Sequence, residues 1–152
     1  VVHVTARDAA AYAAWIGGRL PTEVEWESIA VRGLPDPEDP RSGAFAGDGT
    51  PIANTWQGMF PVFNTGDDGH SGSSPVGSFP PDRLGLFDVF GNVWEITSSV
   101  ENGVTVIKGG SFLCAPNYCG RYRPAARQPA EFSSSHLGFR VVFDTSPSSD
   151  RS

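Results

Sequence analysis

The chain of 152 residues has only two cysteines, one methionine and three histidines. Two cysteines do not make a disulfide framework. They suit a reducing compartment and redox or metal chemistry. None of His3, His70 and His136 has ligand spacing to the cysteines, and zinc prefers four protein ligands, so a structural zinc site is not expected. No apolar run approaches membrane-spanning length and no signal peptide opens the chain, which leaves no membrane partner in view. The net charge of −6 argues against a general affinity for nucleic acid. The acidic residues are dispersed, apart from a small cluster at Pro35-Asp36-Pro37-Glu38-Asp39-Pro40.

Glycine and proline are abundant instead, at 18 and 13 residues. That is well above ordinary usage and predicts many turns and short elements. The length suits one domain with a real core. We expect it over residues 1–145, followed by a loose Ser/Pro/charged tail over 146–152. The opening Val1-Val2-His3-Val4 is strand-like and lacks an initiator Met. It reads as a fragment, a processed piece or one part of a larger protein.

Residues 8–16 form a helix by propensity, with Ala11, Trp15 and Tyr12 on its buried face and Gly17-Gly18 as its stop. Thr22-Glu23-Val24-Glu25 is a capping box that starts a second helix. Its apolar positions are Val24, Trp26, Ile29 and Ala30, and it ends near Gly33. Residues 35–81 show neither helical nor alternating period. A stretch this long is functional or disordered. Trp56, Phe60, Phe63 and Phe79 argue against disorder, so something must hold the loops, and a bound metal is a candidate. Residues 84–95 are an apolar run broken by Gly91. Residues 104–108 and 137–143 read as short β runs.

Cys114 and Cys119 sit five positions apart. On a helix that spacing would put the sulfurs on different faces. Pro116-Asn117 reads instead as a turn that folds the thiols back toward each other. Such a pair can cycle to a disulfide or hold a soft monovalent metal between thiolates. Arg121, Arg123, Arg127 and Arg140 either shape a groove or pair with carboxylates. Tyr118 and Tyr122 read as packing residues.

Several blocks together resemble the formylglycine-generating enzymes. They are Lys108-Gly109-Gly110-Ser111-Phe112-Leu113-Cys114, Tyr118-Cys119-Gly120-Arg121-Tyr122-Arg123 and Ser135-His136-Leu137-Gly138-Phe139-Arg140. Earlier blocks agree in order: Arg19-Leu20-Pro21-Thr22-Glu23, Ala53-Asn54-Thr55-Trp56-Gln57-Gly58 and Gly91-Asn92-Val93-Trp94-Glu95. The wider superfamily shares the Arg-Leu-Pro-Thr-Glu and Gly-Asn-Val-Trp-Glu blocks without the activity, so the cysteine pair is what points to the oxidases.

The resemblance implies an α+β, loop-rich fold of the C-type-lectin-like kind and an oxidoreductase. Such an enzyme binds an unfolded sulfatase segment bearing Cys-x-Pro-x-Arg and uses dioxygen to convert its cysteine to Cα-formylglycine. Cys114 and Cys119 would hold Cu(I), joined by the substrate thiolate, with dioxygen reacting at the copper. Soft thiolates select Cu(I), and low coordination leaves room for substrate. Ser111 matches the family's active-site serine, and Trp94 an aromatic near the oxygen pocket. Two Ca²⁺ sites are also implied, since oxygen-only ligation suits that ion. The first takes the side chains of Asn54 and Asp68 with the carbonyls of Thr55 and His70. The second takes Asp88 and Glu95 with the carbonyls of Gly91 and Val93.

Departures from the family pattern are a missing N-terminal portion, a short segment between Thr97 and Lys108, and Ile96 where an aromatic is common. Absence of the structural cysteines of secreted members points to the bacterial, cytoplasmic type. The readings from other classes are a non-catalytic binding module of the same fold and a thiol–disulfide oxidoreductase.

Overall fold

A computed structural model describes residues 1–117, 120–130 and 132–144, so the tail expected over 146–152 lies outside the described residues. Helix α1 (Ala6–Trp15) begins at Thr5, whose hydroxyl accepts from the Asp8 amide while the Asp8 carboxylate accepts from the Thr5 amide. This reciprocal cap satisfies donors that the first turn leaves unpaired. The buried stripe is Ala9 and Ala13, one turn apart. The face expected from Ala11, Tyr12 and Trp15 is instead exposed, with Trp15 at 80 %. Small residues let the helix lie close to the core, and the larger aromatics project from its other side.

Helix α2 (Glu23–Gly33) repeats the device with Thr22 and Glu25. Arg19 adds a bidentate pair to Glu25 and also bonds Asp144. Trp26 and Ala30 are buried with Gly33, whereas Val24 is 77 % exposed, contrary to the apolar pattern.

The main sheet has four strands in the order β5-β4-β3-β6. They are β3 (Trp94–Glu101), β4 (Val104–Lys108), β5 (Arg127–Pro129) and β6 (Leu137–Gly138), and β6 alone pairs in parallel. Asn102 and Gly103 join β3 to β4 with φ of 51° and 80°, as a two-residue hairpin turn with positive φ at both positions requires. The expected β run over 137–143 pairs in this sheet only through Leu137 and Gly138, and then bridges Arg19 at Val142. A small hairpin, β1 (Gly58–Met59) with β2 (Phe63–Asn64), interrupts the irregular region.

A register shift on β3 falls between Ile96 and Val100. There the Thr97 hydroxyl donates to the Val106 carbonyl, the Ser98 amide reaches the Pro21 carbonyl, and Ser99 Oγ accepts from the Glu23 amide. The irregularity thus ties β3 to the start of α2. Glu95 and Lys108 are cross-strand partners, and both meet Trp26. The indole N–H donates to Glu95 at 2.6 Å, and the fully buried Lys108 ammonium lies 5.8 Å above the ring. Glu27, 3.0 Å away, and Glu23, 3.7 Å away, balance that ammonium.

The Glu25 carboxyl is held down to about 2 from its ordinary 4.5, chiefly by the Arg19 guanidinium and next by the Thr22 amide. A depressed value means that the stabilisation is complete above pH 4.5 and is lost as pH falls toward 2. With the side chain 42 % exposed, the effect is modest. Urea midpoints followed from pH 5 to 2 should fall further for the native chain than for Glu25→Gln, and identical slopes would remove this capping pair from the acid response.

Candidate active site

Strand β4 ends at Gly109 and Gly110, with φ of 94° and 71°. A Cβ on Gly110 would lie 2.7 Å from the Tyr122 amide nitrogen, and one on Gly109 3.0 Å from the Trp26 ring. Both positions therefore need glycine for close approach as well as for φ. This pair turns the chain into Ser111-Phe112-Leu113-Cys114. The Ser111 carbonyl accepts from the Cys114 amide at 2.9 Å, and its hydroxyl from the Leu113 amide. The Cys114 carbonyl accepts from Trp56, and the Phe112 amide donates to the Asn92 carbonyl. Ser111 and Cys114 are buried, at 1 % and 4 % exposure.

Beyond Cys114 the chain reverses. The Gly120 amide donates to the Ala115 carbonyl at 2.9 Å, a 6→1 bond of the kind that closes a helix-end loop. The residue after Cys114 is thus bonded to the residue after Cys119. Cys119 itself and Tyr118 lie outside the described residues. Asn117 fastens this loop to the Gly58 carbonyl, and Arg123 donates to the Gly120 carbonyl. Tyr122 is buried against Phe45.

Of the other arginines, two pair with carboxylates and one bonds an amide. Arg127 pairs with Glu23 and Glu101, Arg140 pairs with Glu95, and Arg121 bonds Gln128. Trp94 is buried in the same core cluster as Cys114. Its amide donates to the His136 carbonyl, and the His136 ring meets Phe112 edge-on. Burial pushes the His136 imidazole below its ordinary value, favouring the neutral ring.

The first oxygen set is brought together in part. Asn54 is buried, and its Nδ2 donates to the Gly72 carbonyl and to Asn92 Oδ1. Its Oδ1 is buried with no hydrogen-bond partner. The Asp68 carboxylate accepts from the amides of Thr55 and His70 and from Gln57 Nε2. An unpartnered amide oxygen one residue from the amide that holds a carboxylate suits a hard cation. The Thr55 carbonyl accepts from Gln57.

The second set is divided. Asp88, at φ 53°, caps the Gly77 amide. Glu95 is committed elsewhere: each of its oxygens accepts from Arg140, and one also from Trp26. Its charge is already met, so this set fits a cation poorly. Among the described residues no group of three or more His, Cys, Asp or Glu side chains could hold a metal ion.

Two residues carry more of the site than the sequence reading assigned them. Asn92 is a buried hub: its side chain joins Asn54 to the Ser74 backbone, its amide meets the Asn54 carbonyl, and its carbonyl holds Phe112. Gln57 clamps the Asp68 turn from both ends of its amide. Both lie inside quoted sequence blocks, and an amide in a glycine-bounded loop was the available signal.

The architecture first defines a class. The chain superposes on PvdO of Pseudomonas aeruginosa with a TM-score of 0.73 and 25 % identity, covering 93 % of this chain and 60 % of PvdO. The sequence then gives the family: residues 1–145 match the Sulfatase-modifying factor enzyme 1-like domain, and the chain belongs to that family. It is 46 % identical over 169 residues to the formylglycine-generating enzyme of Mus musculus, covering 99 % of this chain and 45 % of the relative. It is 43 % identical over 167 residues to that of Thermomonospora curvata, covering 95 % and 55 %. It is also 40 % identical over 151 residues to the inactive C-alpha-formylglycine-generating enzyme 2 of Bos taurus, covering 93 % and 49 %. The chain spans about half the length of the curated relatives it matches.

The Glu95–Arg140 pair makes a sharp prediction. Glu95→Gln leaves a largely buried guanidinium without its counter-charge and should cost about 3–5 kcal/mol in chemical denaturation. The loss should be the same with and without a calcium chelator. A chelator-dependent loss would return Glu95 to the cation set.

Proposed function

We propose that this chain carries the thiol centre of an oxidase that converts a cysteine of an unfolded sulfatase polypeptide, in a Cys-x-Pro-x-Arg motif, to Cα-formylglycine with dioxygen as oxidant. The observation that carries the reading is that Cys114 is buried and held by its backbone, with its neighbour Ala115 bonded to Gly120, in a chain of this family. Cys114 and Cys119 are the soft donors for Cu(I), which when bound supplies the one-electron chemistry that dioxygen needs. Ser111 orients the reacting group from its buried position, and Trp94 walls the site against water. Unfolded substrate is required because a cysteine in a folded partner would not reach a buried thiol. A reducing cytoplasm of the bacterial kind would keep both thiols available.

A second reading has its own support. One matched relative is named inactive at 40 % identity, which supports the reading of this chain as a non-catalytic binding module. Dithiol exchange is disfavoured by the burial of Cys114, since exchange needs an accessible thiolate. The deciding experiment loads the protein with Cu(I) and supplies a Cys-x-Pro-x-Arg peptide in air. Oxygen uptake and the mass loss of thiol-to-aldehyde conversion are expected, and both should vanish in Cys114→Ala. Stable peptide binding with no mass change would favour the module, and turnover without copper would favour exchange.

We also propose structural Ca²⁺ at the Asn54–Asp68 set, supported by the orphaned Asn54 oxygen. An ion bound only by the native state adds about 2.7 kcal/mol when free ion is a hundredfold above its dissociation constant. Chelation should therefore lower the melting temperature, and Asp68→Ala should abolish that response. An unchanged melting curve would leave Gln57 and Asn92 as the sole fasteners. With Glu95 held by Arg140, the second set of Asp88, Gly91 and Val93 remains the weaker proposal.

A further inference from the structure

The segment from Pro35 to Arg41 and the turn after Cys114 border a cleft with two lobes. The larger lobe, about 620 Å³, is walled by Phe45, Ile52, Pro116 and Tyr122. The smaller, about 390 Å³, is walled by Pro116, Asn117, Gly120 and Arg123. Asp39, Arg41, Pro116 and Tyr122 border both lobes, so they form one space. Each volume lies within the range of about 300–1,000 Å³ that holds a small molecule. The two ends differ in chemistry. In the larger lobe the rings of Phe45 and Tyr122 meet edge to face at 6.0 Å. Arg123 borders the smaller lobe and not the larger. The Asp39 carboxylate is already matched by Arg41, whose Nε and Nη2 donate to it at 3.0 and 3.1 Å. Arg123 gives its Nε to the Gly120 carbonyl and pairs with no carboxylate among the described residues. Asp36 stands exposed at the rim of the larger lobe. Negative charge is therefore favoured at the Arg123 end and opposed at the other.

We propose that this cleft binds a small ring-bearing carboxylate, and that the occupant braces the turn after Cys114. The carboxylate sits on the Arg123 guanidinium, and the ring lies against Phe45, Ile52 and Tyr122. The inference is independent of the oxidase reading, because Ser111, Cys114 and Trp94 line neither lobe. The two-ended chemistry commits the cleft to this occupant. A bare inorganic anion would leave the apolar lobe unfilled, and a neutral ring would leave the guanidinium unmatched. The planar fork of an arginine suits a carboxylate, and an aromatic pair takes a third ring at an edge or an offset face. Arg123 also supplies the link to the turn. Its Nε holds the Gly120 carbonyl while the Gly120 amide donates to the Ala115 carbonyl. A ligand that fixes Arg123 and rests on Pro116 therefore holds the turn closed from both sides.

The test titrates the full chain with phenylacetate, phenethyl alcohol and acetate at fixed ionic strength, read by calorimetry. Phenylacetate should bind about tenfold tighter than the alcohol, the value of one charge-assisted pair, and about tenfold tighter than acetate, the value of burying the ring. Arg123→Gln should remove the preference for the acid over the alcohol. Gly47 lines the larger lobe, and a side chain added there meets nothing within 4 Å. Gly47→Leu should therefore fold normally and remove the preference for phenylacetate over acetate. Bracing is read separately, as hydrogen exchange of the Gly120 amide. With phenylacetate at ten times its dissociation constant, that exchange should slow about tenfold. Equal affinity for acid and alcohol, or for phenylacetate and acetate, overturns the site, as does failure of all three to bind. Preferences that survive unchanged in both variants place the ligand elsewhere and overturn it too. Tight binding with unchanged Gly120 exchange overturns the bracing of the turn.

Discussion

Trp26 is the contact on which the rest of the arrangement depends. It is fully buried on α2, and it meets two cross-strand partners at once, Glu95 through a hydrogen bond and Lys108 through its ring face. Removing an aromatic of this size from a core costs about 3–5 kcal/mol, a large share of the stability of a domain this long. Neither charge could be buried there alone. Glu95 is matched by Arg140, and Lys108 by Glu23 and Glu27. The helix, two strands and the segment after β6 are thus locked in one register. The next residue along β4 is Gly109, whose missing side chain makes room for the same indole. The path of the chain into Ser111 and Cys114 is therefore set by where Trp26 docks.

The long irregular region depends on a different kind of order. It has one hairpin of two-residue strands and few internal ladders, yet the amide side chains of Asn54 and Gln57 in it are buried. The backbone groups that a helix or sheet would satisfy are met here by Asn92, Asn54, Gln57, Asn64 and Asp68. Such a network is valuable when complete and costly when one partner is missing, because a buried polar atom left alone loses its water as well. The unpartnered oxygen of Asn54 is an exception within it, as are Trp56 Nε1 and Ser74 Oγ nearby.

How much of this could be read from the sequence follows the range of the interactions. Capping boxes are local, so the start of α2 was legible to the residue. The Val104–Lys108 strand was legible because β-branched residues bounded by glycines leave little else. Helix faces were less so: α1 has too many alanines for periodicity to choose a side, and packing selected Ala9 and Ala13 over the aromatics. The strand at 94–101 escaped because its outer half is polar and irregular in register, although Asn102-Gly103 was a local turn signal. At the site, Pro116-Asn117 was a local turn signal, and the Gly120 amide donates to the Ala115 carbonyl, while Cys119 lies outside the described residues. The partner of Glu95 was not, since Arg140 is 45 residues away and only the fold brings them together.

This division of labour bears on how activity can come and go in the family. The residues that hold the scaffold are Trp26, the buried charges around it, Asn92 and the glycine pair after β4. None of these needs a thiol. Cys114 is fixed through its backbone, by Ser111 on one side and Trp56 on the other. Replacing a buried cysteine by a residue of similar size costs on the order of 1 kcal/mol, within the spread of ordinary substitutions. The chemistry is therefore thermodynamically separable from the fold. A relative can keep the architecture at 40 % identity and carry the name of an inactive protein. In this chain the residues that hold the fold, Trp26 and its charged neighbours, are distinct from the cysteine on which the proposed chemistry would rest.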